Sequence, residues 1–405
     1  MSLDSKVRVA LVITRAIDEA SFGRVKVLRE IRAALEAQFD VTVFRLRSLL
    51  ETSHVRDFVG AGRTLALSAL RGKPLPLQSV LYSGTREIES VLEALCSGDF
   101  QAVYVDSIRS QTFIRKLRER APQLRLVVDF DDLMSRRMEN LASGHIKLSL
   151  GFMQELVPYA LRWSIEGPLS SLLVRYEAAA LGRSEREVVD AVQAVVLVSS
   201  AERDLLRAKL GFAKRSLVHA LPPPASECRS PQVASQYRFV FIGSDLLAQN
   251  RLSIDVLLDM WQRLRPSAAL HIYGRQRRPN RDVRNVHWHG YVEHVSEAYE
   301  PGTILLLPAI LAGGIKTKVI EAWSFGCPVL GNATAFEGLD VGRYPLVHAI
   351  AGWDAFVLEP SAHAQLWHTA ATIGNEFARD VLSRSRFAEQ WCRLMIPANA
   401  TPQAG

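Results

Sequence analysis

The stretch best equipped for chemistry is residues 313–328, GGIKTKVIEAWSFGCP. Gly313 and Gly314 precede Ile315 and the ammonium groups of Lys316 and Lys318, and a single carboxylate, Glu321, follows in an apolar run. Glycines let the backbone approach a ligand closely, and the free N–H groups at a helix start favour an anion. A lysine adds a full positive charge, which suits the diphosphate of a nucleotide. Glu321 falls about one turn into a helix beginning near Thr317, where its carboxylate can accept hydrogen bonds from ribose hydroxyls. No G-x-x-x-x-G-K-[ST] loop occurs, so this is not a Walker loop. A plain strand-to-helix turn with a solvated helix start is the other reading.

The elements that must position this loop follow an alternating plan. VRVALVI (7–13) precedes a helical stretch, RVKVLREIRAALEAQF (24–39), and then DVTVFRL (40–46), which together make one βαβ unit. DFQAVYVDS (99–107), LRLVVDF (124–130) and AVQAVVLVSS (191–200) continue the sheet. The scheme restarts with a strand at YRFVFIGS (237–244), a helix at SIDVLLDMWQRL (253–264) and a strand at AALHIYG (268–274). TILLLPA (303–309), the helix after Lys316 and PVLGNA (328–333) follow. The proline run and polar residues of LPPPASECRSPQVAS (221–235) read as a linker between two Rossmann-like domains. In open α/β sheets ligands bind beyond the carboxyl ends of the strands, so the expected site is a cleft where the two domains face each other. The expected boundaries are 1–222, 223–375, and a C-terminal helix with its tail at 376–405, where RFAEQWCRLM (386–395) has helical spacing.

Composition narrows the partners. The chain of 405 residues is too long for one ordinary core, and 48% hydrophobic with 22% charged residues is globular. No apolar run reaches the ~18 residues of a bilayer span, and VRVALVI is too short for a signal peptide. The four cysteines, Cys96, Cys228, Cys327 and Cys392, form no C-x-x-C pair, which points to reduced thiols and a cytoplasmic location. Most of the formal net charge of +7 lies in the first 220 residues, so an anionic membrane or an acidic substrate competes with an ordinary solvated surface. Nucleic acid is disfavoured, since the basic residues are dispersed without interleaved aromatics. Residues 55–85, apolar and basic with few acids, read either as a lipid-docking segment or as a helix pair packed on its own domain. His287 and His289 alternate on a strand with no third ligand spaced for zinc, and read as core or rim residues.

FVFIGS (239–244), QNR (249–251), LHIYG (270–274), NVHWHGYV (285–292) and LLLPAILAGGIKTKVIEAWSFGCPVLGNATAFEGL (305–339) resemble the donor domain of family 4 retaining glycosyltransferases, of GT-B fold. The resemblance implies that Glu321, as the second acid of an E-x7-E motif, binds the nucleotide ribose. The first acid falls on Gly313, a departure that leaves the backbone N–H groups of Gly314 and Ile315 to hold the donor sugar. It also implies that Lys316 and Lys318 serve the diphosphate, and that Arg251, with Arg275 a weaker candidate, adds a contact there. In the first half, ALSALRGKPLPLQSVLYSG (66–84), DFQAVYVDS, VVDFDDLMSRR (127–137) and RYEAAALGRSEREVVDAVQAVVLVSSAERDLL (175–206) are similar to exopolysaccharide-associated members of the family. On that resemblance Asp132 takes the acidic cleft position and is catalytic together with Lys316. Asp129 and Asp131 lie on the acceptor side, Asp131 standing where some relatives have His. One or more of these acids could instead cap the following helix.

The expectation is therefore an α/β protein of GT-B architecture, two Rossmann-like domains facing a central cleft with the C-terminal helix crossing back to the first. It would move a sugar from a nucleoside diphosphate sugar to a glycan or lipid-linked glycan with retention, without metal or other cofactor. Exopolysaccharide or lipopolysaccharide synthesis, at the inner face of the membrane, is the implied setting. Two alternatives stay open: a non-catalytic GT-B partner, motivated by Gly313 and Asp131, and a GT-A-type transferase using Asp129 and Asp131 as a metal-binding D-x-D. A dinucleotide oxidoreductase is disfavoured because no strand is followed by G-x-G-x-x-G.

Overall fold

A computed structural model describes residues 6–17, 23–51, 55–144, 170–225, 228–277, 281–340, 342 and 344–397. The polar tail beyond Pro397, and two residues of the linker, 226–227, lie outside the described residues. The chain divides into two compact units, one holding the described residues up to Pro223 and from Arg384 onward, the other those from Pro224 to Ser383.

The first unit is built on six parallel strands, β1 (Arg8–Ile13), β2 (Asp40–Arg45), β3 (Ala102–Asp106), β4 (Arg125–Asp131), β5 (Ala194–Leu197) and β6 (Val218–Ala220). Their order in the sheet is β2-β1-β3-β4-β5-β6. Strands β3 and β5 are buried along their whole length and β1 beyond its first residue, which is why their sequences are continuous apolar runs without alternation. The last strand is an addition to the sequence-based plan, because three residues are too few to carry a readable periodicity. Helix Arg384–Met395 belongs to this unit. Phe387, Trp391 and Met395 recur at four-residue spacing and enter the core, with Trp391 edge-on to Tyr104 at 5.4 Å. Arg125 Nε donates to the Leu394 carbonyl at 2.8 Å, and Arg384 pairs with Glu30 at 2.7 Å.

The second unit has five parallel strands, β7 (Arg238–Ile242), β8 (Leu270–Tyr273), β9 (Val286–Gly290), β10 (Thr303–Leu307) and β11 (Val329–Gly331), ordered β11-β10-β7-β8-β9. Its core gathers Phe239, Phe241, Trp261 and Trp323, with Phe239 edge-on to Trp261 at 5.6 Å. The helix after β7 spans Ala248–Leu264, longer than the apolar spacing alone indicates, because Asn250 and Arg251 already donate backbone N–H groups to the Leu247 carbonyl.

Residues 55–85 form helix Val55–Leu70 and a short helix Leu77–Val80. Ala61 is buried, yet Phe58, Val59 and Leu70 are exposed, Leu70 at 84%. Among the described residues no helix is long and apolar enough to cross a membrane, and all four cysteines are free.

Candidate active site

In the second unit the loop that follows β10 is pinned at its start. Ser253 Oγ donates to the Pro308 carbonyl at 2.7 Å, and Asn332 grips Ala309 by accepting its N–H (3.1 Å) and donating to its carbonyl (2.8 Å). Gly313 and Gly314 then adopt φ of 118° and 62°, conformations that side chains with a Cβ rarely tolerate. The Gly313 N–H donates to Glu337 Oε2 at 3.0 Å, bringing a carboxylate to the position where the motif lacks its own acid. Ile315 packs against the core, and Lys316 immediately precedes helix Thr317–Ser324, its Nζ donating to the Gly313 carbonyl at 2.5 Å.

Lys318 faces the start of the neighbouring helix. Its Nζ donates to Asn250 Oδ1 at 3.2 Å and sits 4.5 Å above the Phe241 ring. Burial pulls its titration down to about 8, the Glu321 carboxylate opposing that fall and the Lys316 charge adding to it. Glu321 is half-buried, and its charge also helps raise the buried Tyr299 phenol, after the larger effect of burial. Arg251 follows Asn250 in the first turn of its helix, and its side chain makes no hydrogen bond or ion pair with the described residues. Arg275 instead lies over the Tyr291 ring at 5.0 Å. The structure therefore gathers Gly313, Gly314, Ile315, Lys316, Lys318 and Glu321 around one loop and helix start, with Asn250 tying Lys318 to the helix that carries Arg251.

Close packing of glycine brings two further loops to this edge of the sheet. A Cβ on Gly274, whose φ is 121°, would lie 2.6 Å from the Gly243 carbonyl oxygen, and one on Gly243 would lie 2.8 Å from the Asn250 amide. Gln276 Nε2 donates to both glycine carbonyls at 3.0 Å. The two rim histidines expected on β9 gain a companion that linear spacing hid. His271 pairs across the sheet with His287 and hydrogen-bonds to His289 (Nδ1 to Nε2, 2.7 Å). Burial first, then Arg238 and the two other rings, holds His271 down at about 4. Among the described residues no group of three side chains is arranged to hold a metal.

The first unit carries its own charged cluster at the carboxyl ends of β1, β3 and β4. Arg24, from the helix after β1, donates to Asp106 Oδ1 (2.6 and 3.2 Å), Asp129 Oδ2 (2.9 Å), Asp131 Oδ1 (3.2 Å) and the Tyr104 hydroxyl (3.1 Å). Asp129 also accepts from Tyr104 at 2.9 Å and from the Asp131 N–H at 2.9 Å. At 1% exposure it has no open oxygen for an acceptor, so its reading as an acceptor-side group gives way to an internal one. Asp132 is ion-paired with Arg137 and half-buried. Asp131 differs: its φ is 65°, a third of its side chain is exposed, and burial raises its titration to about 6 against the pull of Arg24. The D-x-D reading fails on geometry, because the Arg24 guanidinium occupies the space between Asp129 and Asp131 where a cation would sit. Arg24, Tyr104 and Asp106 escaped sequence reading. The available signal was a tyrosine and an acid two residues apart on one face of the apolar strand AVYVD.

Two such sheets, one after the other, define a GT-B architecture, and known structures share it. The chain is similar to sucrose-phosphate synthase from Thermosynechococcus elongatus (TM-score 0.62, 13% identity, 96% of this chain and 98% of that one). It is similar to Anabaena HepE in complex with UDP (0.62, 12%, 96% and 99%) and to the lipopolysaccharide outer core galactosyltransferase WaaB (0.56, 13%, 96% and 99%). Against TarM it spans 58% of that longer chain, with a TM-score of 0.51. No curated protein matches the sequence. Residues 236–351 match the family model of the glycosyl transferases group 1. Residues 236–351 of the second unit are thus similar to the glycosyl transferases group 1, and the whole chain has the GT-B fold.

Proposed function

We propose that the protein transfers a sugar, with retention, from a nucleoside diphosphate sugar to a glycan or lipid-linked glycan acceptor. The observation that carries this reading is the loop at 313–318 inside the matched domain. It offers two left-handed glycines, two ammonium groups and a helix start at the carboxyl edge of a parallel sheet, with Glu321 one turn further on. Lys316, Lys318 and Arg251 serve the diphosphate and stabilise it as leaving group without a divalent metal. Glu321 takes the ribose. Gly314 and Ile315, with Glu337 close by, face the donor sugar. Asp131 and Asp132 serve the acceptor side, Asp132 once Arg137 releases it. Structures of the similar HepE with UDP and with UDP-glucose favour a uridine nucleotide. The exposed apolar residues of helix Val55–Leu70, alongside exposed Arg63, Arg71 and Lys73, favour an acceptor presented at an anionic membrane surface, as in polysaccharide assembly.

A donor screen with a lipid extract as acceptor source, run in EDTA, tests the reading. Turnover of one UDP-sugar with an α-linked product from an α-linked donor is expected. UDP binding without any hydrolysis or transfer would favour a non-catalytic partner, the reading that Gly313 in place of an acid invites.

A further inference from the structure

We propose that the carboxyl end of the first unit's sheet holds a binding site for a phosphate or carboxylate group, formed by Arg15 and Arg109 with the Tyr82 hydroxyl beside them. That this anion belongs to the acceptor rests on the glycosyltransferase reading; the site itself stands on the first unit alone.

Arg15 lies two residues past β1 and Arg109 three past β3, and these strands are neighbours in the sheet. Both stems are fixed. Thr14 donates its hydroxyl to Asp106 Oδ2 at 2.7 Å, anchoring the backbone that leads into Arg15. Ser107, held at φ 75°, accepts the Arg109 N–H on its hydroxyl at 3.3 Å. Arg109 Nε donates to Gln78 Oε1 at 3.0 Å, which fixes the plane of the guanidinium and leaves both terminal nitrogens without a hydrogen bond to the described residues. Arg15 makes no hydrogen bond or ion pair with the described residues, and the Tyr82 hydroxyl makes no hydrogen bond with them.

These donors are not solvated surface groups. Both arginines and Tyr82 are half-buried, and the two cations are close enough for Arg15 to depress the titration of Arg109, after the larger effect of burial. Both also act on the Tyr82 phenol. The nearby acids have other partners: Asp106, Asp129 and Asp131 share Arg24, Asp132 pairs with Arg137, and Glu177, on which Arg109 acts, accepts the Leu77 and Gln78 N–H groups. Arg15 and Arg109 feel the Asp106 charge but form no ion pair with it, so they repel each other, and a bound anion offsets that repulsion. Guanidinium forks match phosphate and carboxylate oxygens in pairs, and a phenol supplies one further donor. By contrast Arg63, Arg71 and Lys73 are exposed, where charge is screened by water and salt.

The test titrates the full chain calorimetrically with glucose 1-phosphate, glucuronate and monomeric dihexanoyl phosphatidic acid. Each titration runs with and without saturating UDP, which occupies any anion site in the second unit. Binding of at least one probe should persist under UDP and weaken about 10- to 100-fold in Arg15→Gln and in Arg109→Gln, while UDP affinity stays unchanged. Arg109→Lys should lose much of the affinity while keeping the charge, since the fork is gone. A preference for the lipid would assign the anion to a lipid-linked acceptor, and one for the sugar phosphate or uronate to a soluble one. If no probe binds under UDP, or the arginine variants bind as the wild type does, the site is refuted. Failure of UDP to bind while the arginine effects remain would refute the donor assignment alone.

Discussion

In the first unit three aspartates share the single buried guanidinium of Arg24, so each carboxylate has an internal partner. In the second, the Lys318 ammonium rests on a neutral amide oxygen and an aromatic face, at the cost of a titration lowered to about 8. The first arrangement depends on one residue, because removing Arg24 leaves buried carboxylates without their cation. The second holds its ammonium on uncharged partners, as the proposed diphosphate site requires. Two similar sheets thus carry two different charged clusters, one of acids around a shared guanidinium and one of an ammonium held by an amide and an aromatic ring.

The largest effect should come from breaking the scaffold. Arg24→Ala leaves Asp106 and Asp129 buried and unpaired, which costs about 3–5 kcal/mol; denaturant unfolding followed in the first unit should show a midpoint lowered accordingly. A drop below about 1 kcal/mol would mean that the cluster is not as closed as its geometry indicates. Next, Lys316→Ala should weaken UDP affinity about 10- to 100-fold, the loss of a charge-assisted contact worth roughly 1.5–3 kcal/mol, with the unfolding midpoint little altered. Unchanged affinity in calorimetry would remove the diphosphate role of this loop.

Smaller effects should follow charge at the surface. Reversing Arg63, Arg71 and Lys73 to Glu should release the protein from anionic vesicles, each residue contributing about 1 kcal/mol, with UDP affinity intact. Sedimentation with vesicles at low and high salt checks this, and absence of binding at low salt would make helix Val55–Leu70 an ordinary packing element. The smallest is a pH effect. With its titration lowered to about 8 from 10.5, Lys318 in the folded, ligand-free protein loses its proton near pH 8 while the unfolded chain keeps one. Between those values stability rises with pH, because the unfolded state binds more protons, whereas UDP affinity falls severalfold over the same window. Lys318→Arg, which stays charged, should flatten the affinity profile, and an unaltered profile would assign the titration to another group.

Much of the second unit's candidate site is legible in residue order alone. Gly313, Gly314, Lys316, Lys318 and Glu321 lie within nine residues, so a strand, a tight loop and a helix start suffice to bring them together. Asn250 and Glu337 are not legible in that way, although each touches that loop or its helix, because they arrive from 68 and 24 residues away. The same distance effect hides His271, which meets His287 only through parallel pairing of β8 and β9.

The sequence by itself determined the alternation of buried strands and amphipathic helices, the repeat of that scheme and the glycine loop before helix Thr317–Ser324, since these depend on local period and on glycine. Tertiary structure alone decided what each aspartate of VVDFDD does. Asp129, Asp131 and Asp132 are chemically alike and close together in the chain, but Arg24 from 105 residues away buries the first and shares the second, while Arg137 takes the third. Whether a carboxylate is scaffold or site depends on which cation the fold places beside it and how much water it leaves, and neither is encoded in spacing along the strand.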